Sequence, residues 1–153
     1  MLAGKQLEVY IPITMIDDIY NKDVLRLAAN IGGLEALENP DATVSLRSPL
    51  CGSSIEIAIT IEGNTVTGYS QKIKACALGQ ASASVMADAV IGKSKQNLKS
   101  VRDQVEAMLV TDASPPDGDW AALKALAPAK DAKPRHGAIL LPFDAVLKAL
   151  AEK

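Results

Sequence analysis

Aromatic side chains are scarce in this sequence, with one Trp, one Phe and three Tyr among 153 residues. So few rings build no base-stacking platform. With a formal charge of −2 and no run of Lys or Arg, the chain has no electrostatic footprint for nucleic acid. No stretch of about 18 apolar residues occurs, which argues against a membrane-spanning helix. Met1 to Met15 lack the basic segment, apolar stretch and small-residue cleavage site of an export signal, so the expected location is cytoplasmic. Cysteine occurs only twice and histidine once. In a reducing compartment two thiols point to metal or sulfur chemistry rather than to a disulfide. Ser82 and Ser84 have no adjacent histidine or acid pattern of nucleophilic catalysis. Gly32-Gly33 is not a phosphate-binding motif, and Asp17-Asp18 reads as the negative first turn of a helix. The expectation is a protein that is not an enzyme.

What is present suits a globular fold. Hydrophobic residues make up 48% and charged residues 22%, and the length is that of one domain spanning residues 1–153. Its core must come from Ile, Val, Leu and Ala. Thr14 and Asp17 suit a helix cap, and Ile16, Ile19, Tyr20, Val24 and Leu27 recur at helical spacing, predicting a helix from Met15 to Ala29 that Gly32-Gly33 ends. A short strand follows at Thr43 to Arg47, interrupted by Ser48-Pro49. Ile55, Ile57, Ile59 and Ile61 alternate with other residues, the pattern of a strand with one apolar face. Gly63-Asn64 suits a two-residue turn, and Thr65 to Lys74 returns antiparallel. Pairing Glu62 with Thr65 sets Cys51 opposite Cys76, but it also sets the isoleucines against Lys72, Ser70, Gly68 and Val66. A bulge near Gly68 corrects that mismatch.

After the sheet come helices: Ala77 to Ile91, one capped by Ser94 with a Leu98, Val101, Val105, Met108 stripe, and a short one from Asp119 to Leu126. Pro128 to Arg135 reads as a loop that delivers His136 to a last apolar segment, Ala138 to Leu150, which Pro142 kinks or restarts. One helix, a small antiparallel sheet and then several helices is an α+β order.

Cys51, Cys76 and His136 are the candidate site residues. Cys76 begins an apparent helix, where unpaired amides and the macrodipole favour negative charge. Two thiolates and one imidazole suit iron or zinc and leave a coordination position open. The competing readings are inert buried thiols and a surface or capping histidine.

Three blocks carry a family resemblance: Ser48-Pro49-Leu50-Cys51-Gly52-Ser53, then Ala75-Cys76-Ala77-Leu78-Gly79-Gln80-Ala81-Ser82-Ala83-Ser84, then Arg135-His136-Gly137-Ala138-Ile139-Leu140. In this order they resemble the site-forming blocks of the U-type, NifU-like and IscU-like, iron-sulfur cluster assembly scaffolds. Tyr20 to Asn30 and Leu34 to Thr43 resemble that family's lead-in. The resemblance implies a three-stranded antiparallel sheet with about five helices packed on it. It also implies ligand roles for Cys51 and Cys76 with His136 beside them, iron or a [2Fe-2S] cluster as cargo, and a cysteine desulfurase and recipient apo-proteins as partners.

The chain departs from the family pattern at two places. Ser53 stands where an aspartate is usual, and Gly137 where a third cysteine follows the histidine. Without that cysteine, direct sulfur acceptance and four-ligand holding of a cluster by one chain lose their basis, whereas a homodimer would supply four cysteines. Leu126-Ala127-Pro128-Ala129-Lys130 is only distantly similar to the family's Leu-Pro-Pro-Val-Lys chaperone motif. The favoured expectation is a scaffold or carrier of iron or a labile cluster, with Ser53 hydrogen-bonding the cargo. The alternatives are a zinc-binding regulatory module using the same ligands and a diverged adaptor subunit without cluster chemistry.

Overall fold

The computed structural model describes residues 20–50 and 52–152. In chain order its elements are α1 (Lys22–Ala29), β1 (Ala42–Arg47), β2 (Ser54–Glu62), β3 (Thr65–Lys74), α2 (Ala77–Ala89), α3 (Lys95–Thr111), 3-10 segments over Gly118–Asp131 and Lys133–Arg135, and α4 (His136–Ala151). This is the expected α+β order.

The isoleucines organise the sheet. Side chains alternate across a strand, so Ile55, Ile57 and Ile59 share one face, and all three are buried. The sheet is antiparallel in the order β1-β2-β3. Gly63 takes a positive φ of 65°, and the hairpin starts in the expected register with Glu62↔Thr65 and Ile61↔Val66. The next pair is Thr60↔Gly68, so Thr67 is an unpaired bulge residue. From there to Ser54↔Lys74 the register is one residue off, and Ile59 and Ile55 face Tyr69 and Ile73 instead of Gly68 and Lys72. Burying the apolar face decides the slip. The ladder ends at Ser54↔Lys74, and the expected pairing of Cys51 with Cys76 falls on Cys51, outside the described residues.

The first helix among the described residues starts at Lys22. Asn21 is its cap: Oδ1 accepts from Val24 N at 2.9 Å while Nδ2 donates to Ala125 O at 3.1 Å. A cap with an extended backbone (ψ 173°) cannot sit inside a helix, so the span from Met15 is corrected to Lys22–Ala29. The expected cap at Thr14 and Asp17 lies outside the described residues. The end at Ala29 is as expected, with Asn30 as the C-cap ahead of the glycines.

Helix α2 is built of small residues and is buried along most of its length. It lies against α1 and α4 and reaches β3, while α4 packs on β1 and β2. Ser94 caps α3 as expected, accepting from Asn97 N at 3.1 Å, and Leu98, Val101, Val105 and Met108 are buried. The segment after α3 contradicts the expected loop over Pro128 to Arg135. Trp120, Leu123, Leu126 and Ala129 are all buried. They recur every third residue, which matches the three residues per turn of a 3-10 helix. Pro128 lies off that stripe and is exposed. Trp120 packs against Phe143 of α4, ring centroids 5.5 Å apart.

Helix α4 starts at His136 rather than Ala138 and runs through Pro142 without a break. Proline has no N–H to return to the carbonyl four residues back, which leaves the Ala138 carbonyl without its usual intrahelical donor. That carbonyl lies where α2 approaches: a Cβ built on Gly79 would come within 3.3 Å of Ala138 O. One residue on, Ser82 Oγ donates to Ile139 O at 2.6 Å. The first turns of α2 and α4 are therefore in contact.

Arg102 ties α3 to α4 from the outside. Its Nε donates to Asp144 Oδ1 and its Nη1 to Glu106 Oε1, both at 2.9 Å. Partial burial works against the guanidinium charge, but the bonds to Asp144 and Glu106 outweigh it and hold the pKa above its ordinary value. Arg102→Ala is expected to cost about 1–2 kcal/mol in urea unfolding, since hydrogen bonds to charged groups exceed neutral ones but this group keeps partial solvent contact. An unchanged midpoint would show that the clasp contributes nothing.

Candidate metal centre

Three chain segments that the sequence places far apart converge at one end of the sheet. The first is the turn after β1. Ser48 N donates to Ser53 O at 2.8 Å and Gly52 N donates to Ser48 O at 3.0 Å, with Gly52 at a φ of 74°. These bonds fold 48–53 back on itself, with Cys51 in the sequence between Leu50 and Gly52. Cys51 itself lies outside the described residues. Leu50 projects into solvent at 77% exposure, whereas Ser48 and Ser53 are buried at 5% and 4%.

The second segment is the start of α2. Cys76 is the N-cap residue of this 13-residue helix, with an extended backbone and no side-chain cap bond. It is half-buried and packs against the core. The helix N-terminus supplies unpaired amides and a positive dipole end, a setting that suits an anionic ligand.

The third segment is the start of α4. The ring of His136 is held by its Nε2, which lies 3.0 Å from Ala129 O and 3.1 Å from Lys130 O. Carbonyl oxygens only accept, so Nε2 carries a proton, and in the neutral ring the lone pair is on Nδ1. Metal-ligating histidines are oriented in this way, the second ring N–H given to a carbonyl. The carbonyl pair belongs to the 3-10 segment expected to be a loop, so the sequence reading missed what fixes the ring. The three-residue apolar repeat ending at Ala129 is the signal that would have shown it.

Two glycines allow the segments to meet. A Cβ on Gly79 would lie 2.7 Å from Ala75 Cβ and 3.3 Å from Ala138 Cβ, and one on Gly137 would lie 2.5 Å from Ser48 Oγ. The 48–53 turn thus touches α4, and α4 touches α2. Among the described residues no three His, Cys, Asp or Glu side chains gather into a metal-binding group. Of the candidate donors, Cys76 and His136 are described, and His136 borders a separate hollow lined by Val110, Asp112, Lys130 and Lys133. Arg47 and Lys74 flank the turn and Cys76 in the chain, and with Lys72 they line a hollow of about 720 Å³ at the sheet's end that holds one acid, Glu56. A net positive border of this kind favours anionic iron-thiolate cargo.

A model of the family described as NifU-like N terminal domain matches residues 19–131. The chain belongs to this family. His136 falls beyond the matched residues. The iron-sulfur cluster assembly scaffold protein IscU of Streptococcus pyogenes serotype M1 is 30% identical over 84 residues, which are 55% of this chain and 50% of that relative. The chain thus matches about half the length of that curated relative. A crystal structure of a nitrogen-fixing NifU-like protein, N-terminal, from Brucella abortus superposes with a TM-score of 0.86 at 42% identity, covering 90% of this chain and 96% of the other. A putative iron-sulfur cluster assembly scaffold protein for the SUF system from Fervidobacterium islandicum AW-1 shares the fold, with a TM-score of 0.77 at 21% identity over 88% and 98% of the two chains. The NifU-like chain therefore has the expected sheet-and-helix fold of U-type scaffolds. No helix among its described residues is long and apolar enough to cross a membrane.

Proposed function

We propose that this NifU-like chain is an iron-sulfur cluster assembly scaffold or carrier, binding iron or a labile [2Fe-2S] cluster through Cys51, Cys76 and His136. The observation that supports this reading most is the orientation of His136, whose Nε2 is committed to two carbonyls so that Nδ1 is the ring atom free to ligate, on a helix that contacts the helix Cys76 caps. Family membership and the IscU relative point the same way. Iron and the sulfide-bridged cluster are the cargo here. The protein's own groups bind and orient it: thiolates supply soft anionic donors, the imidazole a borderline one, and the α2 amides and the Arg47–Lys74 border offset the negative charge. Ser53 stands beside the site as a hydrogen-bonding side chain. Three protein ligands leave a position that a small thiol or a second protomer completes, and two chains together supply four cysteines. A cysteine desulfurase as sulfur source and apo-proteins as recipients complete the role, which is carriage rather than catalysis and belongs in the cytoplasm.

Anaerobic reconstitution with iron and sulfide tests the reading. The wild type is expected to develop a visible cluster chromophore with matching iron and sulfide content, and Cys76→Ser to lose it; native mass then reports whether two chains share the cargo. Tight zinc binding with no chromophore would replace the reading by a zinc-binding module. No metal at all, with Cys51→Ser and Cys76→Ser both functionally silent, would leave an adaptor.

A further inference from the structure

The face of the sheet opposite the buried isoleucines is crossed by successive rows of paired residues: Thr43, Ala58 and Ser70, then Ser45, Glu56 and Lys72, then Arg47, Ser54 and Lys74. A strap made of residues 33–41 passes over its far end. Gly33 O accepts from Gln71 N at 2.7 Å, a Cβ on Gly68 would lie 3.5 Å from Leu37 Cδ2, and Asp41 Oδ2 accepts from Ile61 N at 2.7 Å. Between Leu34, Leu37 and Pro40 of the strap and Ala58 and Ser70 of the sheet lies a hollow of about 220 Å³. Glu56 and Lys72 border both this hollow and the one of about 720 Å³ over the last row, so the two are ends of one groove. Its charge is uneven along its length. Glu56 faces Lys72 at 4.0 Å, whereas Arg47 and Lys74 are exposed and have no ion-pair partner among the described residues. At the strap end the exposed acids are Glu35 and Glu38.

We propose that this groove docks an extended acidic segment of a partner protein, with an apolar side chain under the strap and carboxylates on Arg47 and Lys74. Charge complementarity selects the occupant. The chain as a whole carries −2, so two unpaired cations on one row stand against its overall sign, and a second copy brings like charge rather than a complement. Spacing selects the pattern. Residues i and i+4 of an extended chain share a face and lie about 13 Å apart, which is also the distance along β2 from the Ala58 row to the Ser54 row. An apolar residue followed four positions later by alternating acids therefore meets both ends, while the reverse placement sets carboxylates beside Glu35 and Glu38. The acidic end comes to rest at Lys74, two residues before Cys76, so a partner seated in this way approaches the candidate centre from the sheet. The docking face does not depend on which residues bind metal.

The experiment follows backbone amide resonances of the full chain during titration with the capped peptide Leu-Ser-Ser-Ser-Asp-Ser-Asp. Shifts are expected along Ser45 to Arg47, Ser54 to Glu56 and Lys72 to Lys74 and in the strap. Arg47→Gln/Lys74→Gln should weaken binding about tenfold, as the loss of two exposed ion pairs allows, and Leu34→Ser should weaken it several-fold. These side chains are exposed, so their replacement leaves the core intact. Raising the ionic strength from about 0.01 to about 0.15 M shortens the screening length from about 30 to about 8 Å, which should weaken the wild type and leave the double variant little changed. The same peptide with both Asp replaced by Asn should not bind, and Leu-Asp-Ser-Asp-Ser-Ser-Ser should bind more weakly. Absence of shifts on this face at millimolar peptide, undiminished affinity in Arg47→Gln/Lys74→Gln, or equal affinity for the Asn peptide overturns the proposal. A trinucleotide of the same charge that binds this face as tightly would make it a general anion patch and overturn it too. Shifts here that follow protein concentration without peptide would assign the groove to a second copy instead.

Discussion

Gln71→Leu is expected to destabilise the protein by about 3 kcal/mol, although it replaces a buried amide with an apolar side chain of similar size. Gln71 is the polar member of the apolar sheet face, 2% exposed and paired with Ile57. Its side chain is fully engaged: Nε2 donates to Gly32 O and to Ala83 O, both at 3.0 Å, and Oε1 accepts from Tyr69 Oη at 2.6 Å. Its backbone N–H also donates to Gly33 O at 2.7 Å. Leucine gains transfer energy but strands the Gly32 carbonyl and the Tyr69 hydroxyl, each at about 1–3 kcal/mol for a buried group left unpaired. Burial already pushes the Tyr69 phenol far above its ordinary pKa, so ionisation offers that hydroxyl no relief. Unfolding in urea measures the loss, and Tyr69→Phe/Gln71→Leu should recover part of it by removing the stranded hydroxyl. A Gln71→Leu chain as stable as wild type would mean that water reaches these groups.

The same residue shows where the sequence is legible and where it is not. The period-2 isoleucines fix β2, its buried face and the need for a bulge, because those follow from which side chains must leave water. Little that is local marks Gln71 as buried, since both acceptors of its amide lie elsewhere, on a distant glycine loop and on α2. Helix ends are similarly hidden: Asn21 rather than Thr14 or Asp17 is the cap seen, and half of what holds it is Ala125 O, far along the chain. The 3-10 segment was misread for a different reason. Pro128 is a strong breaker of α-helix, but the three-residue repeat that passes under it satisfies a tighter helix that proline tolerates on its exposed side. At the candidate site, residue types and order singled out Cys76 and His136 as candidates, and the small residues at 79 and 137 were visible as glycines. Their meaning was not, because a hydrogen-sized contact exists only once two segments have met.

His136 separates a capping role from a ligand role, and two replacements test them independently. Glutamine places an amide nitrogen near the position of the imidazole Nε2, so His136→Gln can keep the bond to Ala129 O and Lys130 O while losing the Nδ1 lone pair. Asparagine does the reverse, reaching only as far as Nδ1. If the ring is a metal ligand, His136→Gln should unfold close to wild type yet bind cobalt(II) at least about a hundredfold more weakly, beyond the range for losing an orienting group. His136→Asn should lose stability as well, by about 1 kcal/mol for one broken carbonyl bond, because the start of α4 is then released from the 3-10 segment. The opposite pattern, metal binding unchanged in His136→Gln with stability lost in His136→Asn, would make the histidine a cap and leave the two cysteines as the protein's donors. Four-coordinate iron would then need a second chain or small thiols for the remaining positions, and native mass in the presence of iron tells these two apart.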